Sequence, residues 1–168
     1  MITRMRSSAL RLVLAVAGVV VLAAAPARAQ RAVFLVRHAE KVDESEDAAL
    51  SAEGRARAER LCRHLVSAGV GAVVTSPFQR TRDTGRPLAR ALGLDLRQVP
   101  ALAYDQLAQI LRRDYGDDVV LVVGHSNTLP GILAALGCEG EVTVDGYDDL
   151  FVVLPRADGP PTVLRLKY

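Results

Sequence analysis

The chain has 168 residues, half of them apolar, with 21 basic against 19 acidic side chains. This length and composition fit one domain with a sizeable hydrophobic core and exclude an array of large domains. The near-balanced charge, without a stripe of basic residues interleaved with aromatics, excludes an ordinary nucleic-acid-binding surface.

The N-terminal segment differs from the rest of the chain. Three arginines lie in its first eleven residues, an uncharged apolar run covers 12–25, and small residues lead to Ala29. This order is typical of a secretory signal peptide, and the run is shorter than the ~20 residues of a membrane-spanning helix. We expect cleavage after Ala29, which removes residues 1–29. The domain at 30–168 would then be periplasmic or secreted, with no stable membrane anchor.

Removal of the segment changes the net charge. Four of the 21 basic residues and none of the acidic ones lie in residues 1–29, so 17 basic residues remain against 19 acidic ones. The basic surplus therefore belongs to the signal peptide. We expect no nucleic-acid partner.

The domain begins with a strand. Val33 to Val36 are four apolar residues in a row, typical of a strand buried on both faces of a parallel sheet. Ser51 is a suitable N-cap for a helix to about Ala68. The same reasoning predicts, in order, a strand at 70–75, a helix at 78–92, a weak strand at 96–99, a helix at 105–113, a strand at 119–123, a helix at 128–136, and strands at 141–144, 150–154 and 162–166.

The order of these elements predicts the fold class. Strands that alternate with helices give a mainly parallel central sheet covered on both faces, and consecutive strands at the end add an antiparallel edge. We predict an α/β protein, a single three-layer α/β/α domain.

Polar clusters follow three of the predicted buried strands. The first cluster covers residues 37–40 and includes Arg37 and His38. The second covers 75–81 and includes Arg80, and the third covers 124–128 and includes His125. The carboxyl ends of parallel strands share one edge of the sheet, so these side chains should converge there. The guanidinium group of arginine donates two parallel hydrogen bonds to phosphate oxygens. The backbone amides at nearby helix N-termini add further donors. The sequence therefore predicts a pocket for a phosphoryl group.

Three motifs resemble those of the histidine phosphatase superfamily, in its phosphoglycerate mutase-like branch 1. They are Arg-His-Ala-Glu at 37–40, Ser-Pro-x-x-Arg-Thr at 76–81 and Gly-His-Ser-Asn-Thr at 124–128, and the resemblance covers about 33–154. It implies a phosphohistidine intermediate on His38. It also implies oxygen contacts from Arg37, Arg80 and His125, with no metal and no cofactor.

The carboxylates are assigned less directly. Larger members of the family use a separate acid to protonate the leaving oxygen, and Asp105 lies in the corresponding part of the chain. Aspartate is also a common helix N-cap, so the roles of general acid and of N-cap both stay open for Asp105. We expect Glu40 to orient the first loop and Arg37. Together with Ser126 and Asn127, Glu40 should border the substrate.

Two other catalytic classes fit these residues less well. The segment around Ser126 approaches the Gly-x-Ser-x-Gly elbow of α/β-hydrolases, but no histidine follows the serine as that fold requires. A metal site of His38, Glu40 and His125 uses suitable donors, but two adjacent arginines would repel a dication. We therefore favour the phosphoryl pocket.

Hydrolysis is the favoured reaction within the family. Mutases are longer and shield the phosphohistidine from water, whereas residues 30–168 form a short domain. We predict a phosphoric monoester hydrolase acting on a small phosphorylated substrate or a phosphoprotein. A mutase-type phosphotransferase and a non-catalytic phospho-ligand-binding module remain alternatives. The sequence does not decide whether Cys62 and Cys138 form a disulfide.

Overall fold

The computed structural model describes residues 31–168, and the predicted signal peptide with its cleavage site lies outside the described residues. The strands are β1 Ala32–Arg37, β2 Val70–Thr75, β3 Leu96–Gln98, β4 Val119–Gly124, β5 Asp149–Leu154 and β6 Thr162–Lys167. The helices are α1 Ala52–Leu65, α2 Gln79–Leu92, α3 Tyr104–Asp114 and α4 Leu129–Ala135.

The strands form one mixed sheet in the order β3-β2-β4-β1-β5-β6. The first four strands in this order are parallel, and β5 and β6 add the antiparallel edge. Arg37 at the end of β1 pairs with Gly124 at the end of β4, and Thr75 at the end of β2 pairs with Val123. The segments that follow these strands therefore start side by side.

Helices cover both faces of the sheet. The apolar sides of α1 and α2 pack on one face, around Leu61 and Leu88, and those of α3 and α4 pack on the other, around Leu111 and Ile132. Val120 to Val123 of β4 alternate between the two cores. The predicted fold class, a three-layer α/β domain with a mainly parallel sheet, is confirmed.

One predicted strand, at 141–144, is wrong. These residues are not part of the sheet, although Val142 and Val144 still pack against the core. The reason is topological, because β5 pairs with β1 on one side and with β6 on the other. No free edge of β5 remains for a further strand.

The first helix shows how local sequence fixes the loop before it. The Ser51 hydroxyl accepts a hydrogen bond from the Gly54 amide at 3.0 Å, so the predicted N-cap is confirmed. Gly54 is required because a Cβ there would lie 2.2 Å from the carbonyl oxygen of Glu40. Helix α1 therefore packs directly on the backbone that follows β1.

The two cysteines are free and lie on opposite faces of the sheet. Cys62 packs with the α1–α2 core and Cys138 with the α3–α4 core. Burial raises the pKa of both thiols. A bond between them would have to cross the sheet, so the structure gives no disulfide here.

Among the described helices, none has the length and apolar character that a membrane span requires.

Candidate active site

Two histidines meet at the edge of the sheet where β1 and β4 end. The imidazole centroids of His38 and His125 are 5.2 Å apart, with the ring planes at 64°. The backbone amide of His38 donates to the Gly124 carbonyl at 2.9 Å, which extends the β1–β4 ladder by one residue. The strand register itself therefore sets the spacing of the two rings.

The His38 ring is held in one tautomer. Its Nδ1 lies 2.8 Å from the carbonyl oxygen of Ala39, and a carbonyl only accepts, so Nδ1 carries the proton. In the neutral ring, Nε2 then keeps a free electron pair. This is the state in which an imidazole attacks an electrophile.

The His125 ring is held through its other nitrogen. Its Nε2 lies 3.0 Å from the Ser76 hydroxyl, which in turn lies 2.8 Å from the Thr81 hydroxyl. Thr81 donates its single proton to backbone carbonyls at 2.8–2.9 Å. Ser76 must therefore donate to Thr81 and accept from His125. This places the proton of a neutral His125 on Nε2.

Arg37 is fixed by an aromatic ring that comes from the loop before β5. Its guanidinium carbon lies 4.0 Å from the centroid of Tyr147, and Nη2 donates to the Tyr147 hydroxyl at 3.2 Å. The Tyr147 centroid is also 6.0 Å from that of His38. Tyr147 therefore contacts both the first arginine and the neighbouring histidine.

Arg80 is supported in a similar way from the other side. Its guanidinium carbon lies 4.4 Å from the centroid of Phe78, and Nη1 donates to the carbonyl of Glu46 at 2.6 Å. Phe78 also meets His125 edge-on, with centroids 5.4 Å apart. One phenyl ring therefore positions the second arginine and the second histidine.

Both arginines keep an unused donor. Within residues 31–168, Arg37 Nε and Arg80 Nε are buried and have no hydrogen-bond partner. A buried donor without an acceptor is costly, by roughly 1–3 kcal/mol and more for a charged group. A bound oxyanion would supply the kind of acceptor that these two donors lack.

The electrostatics of the site keep both imidazoles neutral. Burial, together with the charges of Arg80 and Arg37 and against the opposing effect of the Ala39 hydrogen bond, lowers the pKa of His38 to about 4. Burial lowers the pKa of His125 to about 4 as well, with His38, Arg80 and Arg37 adding to the effect. At neutral pH, the fixed charge at the site is therefore the positive charge of the arginines.

Hydrogen bonds connect the loop after His38 to helix α2. The Ala39 amide donates to the Thr84 hydroxyl at 2.9 Å, and that hydroxyl donates to the Arg80 carbonyl at 2.7 Å. These bonds connect the first motif to α2. The loop therefore cannot shift without moving the helix that carries Arg80.

The expected role of Glu40 needs correction. Its carboxylate forms a paired salt bridge with Arg57 of α1, with N–O distances of 2.6–3.0 Å, and it does not pair with Arg37. Burial opposes its ionisation, but the hydrogen bonds from Arg57 outweigh this and lower the pKa of the Glu40 carboxyl. Glu40 orients the loop as predicted, but through α1.

The remaining predicted residues separate into two groups. Asn127 is exposed and lines a cleft of about 540 Å³ beside His125, and Ser126 is half-buried next to it. Asp105 is exposed in the first turn of α3 and does not line this cleft. The N-cap of α3 is Ala103, so Asp105 does not serve as the cap either.

The side chains do not favour a metal centre. Among residues 31–168, no group of three or more histidine, cysteine, aspartate or glutamate side chains is placed to hold a metal ion. Glu40, the predicted third donor beside the two histidines, is bound to Arg57 instead. The donor set at this edge of the sheet fits an anion.

Comparison with known proteins agrees with these motifs. The family model for the histidine phosphatase superfamily (branch 1) matches residues 33–104, which include His38 and Arg80. Over this part of its length, the chain is similar to the histidine phosphatase superfamily. No curated relative matches its sequence.

Solved structures of two phosphatases share the fold. The protein histidine phosphatase SixA, complexed with tungstate, is 21% identical, with a TM-score of 0.67 over 81% of this chain and 96% of that one. A mycobacterial glucosyl-3-phosphoglycerate phosphatase, complexed with inorganic phosphate, is 16% identical, with a TM-score of 0.65 over 82% of this chain and 96% of that one.

Sequence reasoning missed several supporting residues of this histidine phosphatase fold. Ser76, Phe78 and Thr81 lie inside the second motif, where a polar or aromatic side chain beside a phosphate-binding arginine is a usable signal. Tyr147 offers no such signal, because 110 positions separate it from Arg37. Only the pairing of β5 with β1 brings it to the site.

Proposed function

We propose that the protein is a metal-independent phosphatase that forms a phosphohistidine intermediate on His38. The observation that carries this proposal is the Nδ1–Ala39 hydrogen bond, which leaves Nε2 of a neutral ring free to attack phosphorus. The unpartnered guanidinium donors of Arg37 and Arg80 support it as contacts for the phosphoryl oxygens.

The proposed reaction has two displacement steps. The His38 Nε2 electron pair bonds to phosphorus while the bond to the leaving group breaks and its electrons depart with that group. Water then attacks the phosphohistidine, the N–P bond electrons return to His38, and the proton lost by water leaves with phosphate. The arginines stabilise charge on the transferring oxygens in both steps, and His125 joins them once the bound anion has drawn a second proton onto its free Nδ1.

The substrate class we propose is phosphohistidine or a phosphomonoester with a weakly basic leaving group. Within residues 31–168, the cleft beside His125 is lined by apolar, amide and cationic groups and by the two hydroxyl- or imidazole-bearing residues Thr128 and His125. None of the residues that line this cleft carries a carboxyl group to protonate a departing alkoxide. The imidazole of a phosphohistidine protonated on its second ring nitrogen leaves as a neutral ring, and a phenolate is a weak enough base to leave as the ion, so neither needs such a carboxyl group.

Hydrolysis, rather than transfer to a second acceptor, fits the open cleft. Its volume of about 540 Å³ exceeds what a phosphoryl group fills and admits water next to Arg80 and His125.

We also propose export, on the strength of the N-terminal sequence pattern. N-terminal sequencing of the protein recovered from outside the host cytoplasm would test it, and an intact Met1 would contradict it.

The decisive experiment is to trap the intermediate. The purified chain in EDTA is mixed with ³²P-labelled phosphohistidine peptide and quenched in alkali within milliseconds. We expect an alkali-stable, acid-labile label on His38, absent from His38→Ala and present in His64→Ala, a matched variant of the exposed histidine on α1. Label on another residue, or turnover abolished by EDTA, would refute the proposal.

A further inference from the structure

The cleft beside His125 is asymmetric in its chemistry. Its polar lining includes Arg80, His125 and Thr128, of which Arg80 and His125 belong to the site described above. The rest of the lining is the Asn127 amide and five apolar residues, Pro77, Phe78, Pro100, Ala101 and Leu102. We refer to these five residues as the apolar wall.

Strand order places the apolar wall on the far side of the phosphoryl contacts from the nucleophile. His38 follows β1, His125 follows the adjacent β4, Arg80 lies at the start of α2 after β2, and Leu102 follows β3 at the sheet edge. His38 does not line the cleft. Phosphoryl transfer keeps the attacking and leaving atoms in line, so the leaving group departs on the side opposite His38.

Leu102 is the most unusual residue of the apolar wall. It is 70% exposed, the largest value among the exposed large apolar side chains of the described residues. An isolated surface leucine needs no explanation, but a cluster of apolar side chains beside a polar site marks a binding surface. Here four further wall residues adjoin it.

The shape of the wall is fixed by the site itself. Phe78 packs against both Arg80 and His125, and Pro77 and Pro100 restrict the backbone on each side. The surface is therefore preformed, which lowers the entropic cost of binding. The five side chains of the apolar wall offer apolar contact only, and the Asn127 amide lines another part of the cleft surface. A polyhydroxylated group would lose water there without gaining partners.

We propose that the apolar wall is the leaving-group subsite and selects a flat, weakly polar leaving group over a sugar. Two sources share this chemistry, the imidazole of a phosphohistidine and the ring of an aryl phosphate. The inference rests on the proposed function and specifies its substrate class.

Non-hydrolysable ligands test the subsite without depending on turnover. Phenylphosphonate and methylphosphonate are titrated calorimetrically into the purified chain, into Leu102→Ala and into Leu166→Ala. Leu166 is a matched control, because it is 48% exposed on β6, outside the cleft. We expect phenylphosphonate to bind the unmodified chain about tenfold more tightly than methylphosphonate, from burial of one ring face.

The variants separate the inference from the function on which it rests. Leu102→Ala should reduce the phenyl preference about three- to fivefold, while Leu166→Ala retains it. Equal affinity for the two phosphonates, or a preference unchanged in Leu102→Ala, overturns the subsite and leaves the phosphatase proposal standing. Failure of both phosphonates to bind overturns the phosphoryl pocket, and the subsite with it.

Turnover distinguishes the two sources of the leaving group. The kcat/KM values for a phosphohistidine peptide, 4-nitrophenyl phosphate and glucose 6-phosphate are compared in the unmodified chain and Leu102→Ala. We expect glucose 6-phosphate to have the lowest kcat/KM of the three. Of the two substrates with a flat leaving group, the one that the subsite is built for should lose three- to fivefold in kcat/KM in Leu102→Ala. Glucose 6-phosphate with equal kcat/KM and equal sensitivity to Leu102 would contradict the proposal.

Discussion

The ends of β1 and β4 carry the same residue type in nearly the same environment, yet they prepare it for different chemistry. His38 and His125 are 5% and 6% exposed, and burial lowers the pKa of each to about 4. They differ in which ring nitrogen is occupied. His38 uses Nδ1 to bond a backbone carbonyl, whereas His125 uses Nε2 to bond the Ser76 hydroxyl.

This difference shows that burial and charge alone do not assign a catalytic role. A backbone carbonyl is a fixed acceptor, so His38 always presents a free Nε2 when neutral. The Ser76 hydroxyl belongs to a chain that ends at Thr81 and the carbonyls of the loop between β2 and α2. His125 is therefore coupled to this loop, which also leads into the helix that carries Arg80. We interpret His38 as the nucleophile and His125 as a group that responds to the bound anion.

Removal of His38 should have the largest effect. His38→Ala deletes the attacking nitrogen, and loss of a nucleophile lowers kcat by about 10⁴-fold or more in comparable enzymes. Phosphonate binding, measured as a control by calorimetry, should persist because the arginines remain. Turnover within tenfold of the unmodified chain would show that another group attacks phosphorus.

Removal of His125 should cost less and leave the intermediate in place. His125→Ala removes a stabilising contact to the transferring oxygens, which we expect to lower kcat about 10²- to 10³-fold. Rapid-quench labelling should still detect phosphate on His38, formed slowly. A variant as inactive as His38→Ala, with no label, would mean that the two histidines do not have separate roles.

The pH profile tests whether the nucleophile is held neutral. His38 must be unprotonated to attack, so activity falls as pH drops through its pKa. With that pKa at about 4, most His38 remains reactive at pH 5. An ordinary histidine with a pKa of about 6.5 would be reduced about 30-fold there. The measurement is kcat/KM between pH 3.5 and 8, corrected for substrate ionisation, and an acidic limb near pH 6.5 would contradict the structure.

The sequence predicts the framework of the site well because that framework is local. Each of the apolar runs in β1, β2 and β4 ends directly before a motif, so parallel pairing alone brings His38, Arg80 and His125 to one edge. The helix after Ser51 has its cap in the sequence. Where a feature depends on neighbours a few positions away, the prediction holds.

The features that the sequence could not predict are set by distant pairing. Residues 141–144 have the alternation of a strand, but β6 occupies the edge they would need. Glu40 lies beside Arg37 in sequence and pairs with Arg57 across the α1 contact. Tyr147 reaches Arg37 only because β5 pairs with β1. The role of Asp105 as an acid stays a prediction, and its exposed position outside the cleft gives it no support.

The smallest expected effect tests the coupling of His125 to its loop. Ser76→Ala removes the acceptor for His125 Nε2–H, and one hydrogen bond of this kind contributes about 0.5–1.5 kcal/mol, or two- to tenfold in kcat. Nitrogen NMR should show His125 changing from the Nε2-protonated tautomer to a mixture, with His38 unchanged. Ser76→Thr should restore both, and Ser45→Ala, which removes an exposed hydroxyl from the loop after β1, should alter neither. If kcat falls while the tautomer of His125 stays the same, Ser76 affects catalysis through the backbone of its own loop and not through the protonation of His125. The asymmetry between the two histidines would then not depend on the hydrogen bond from His125 to Ser76.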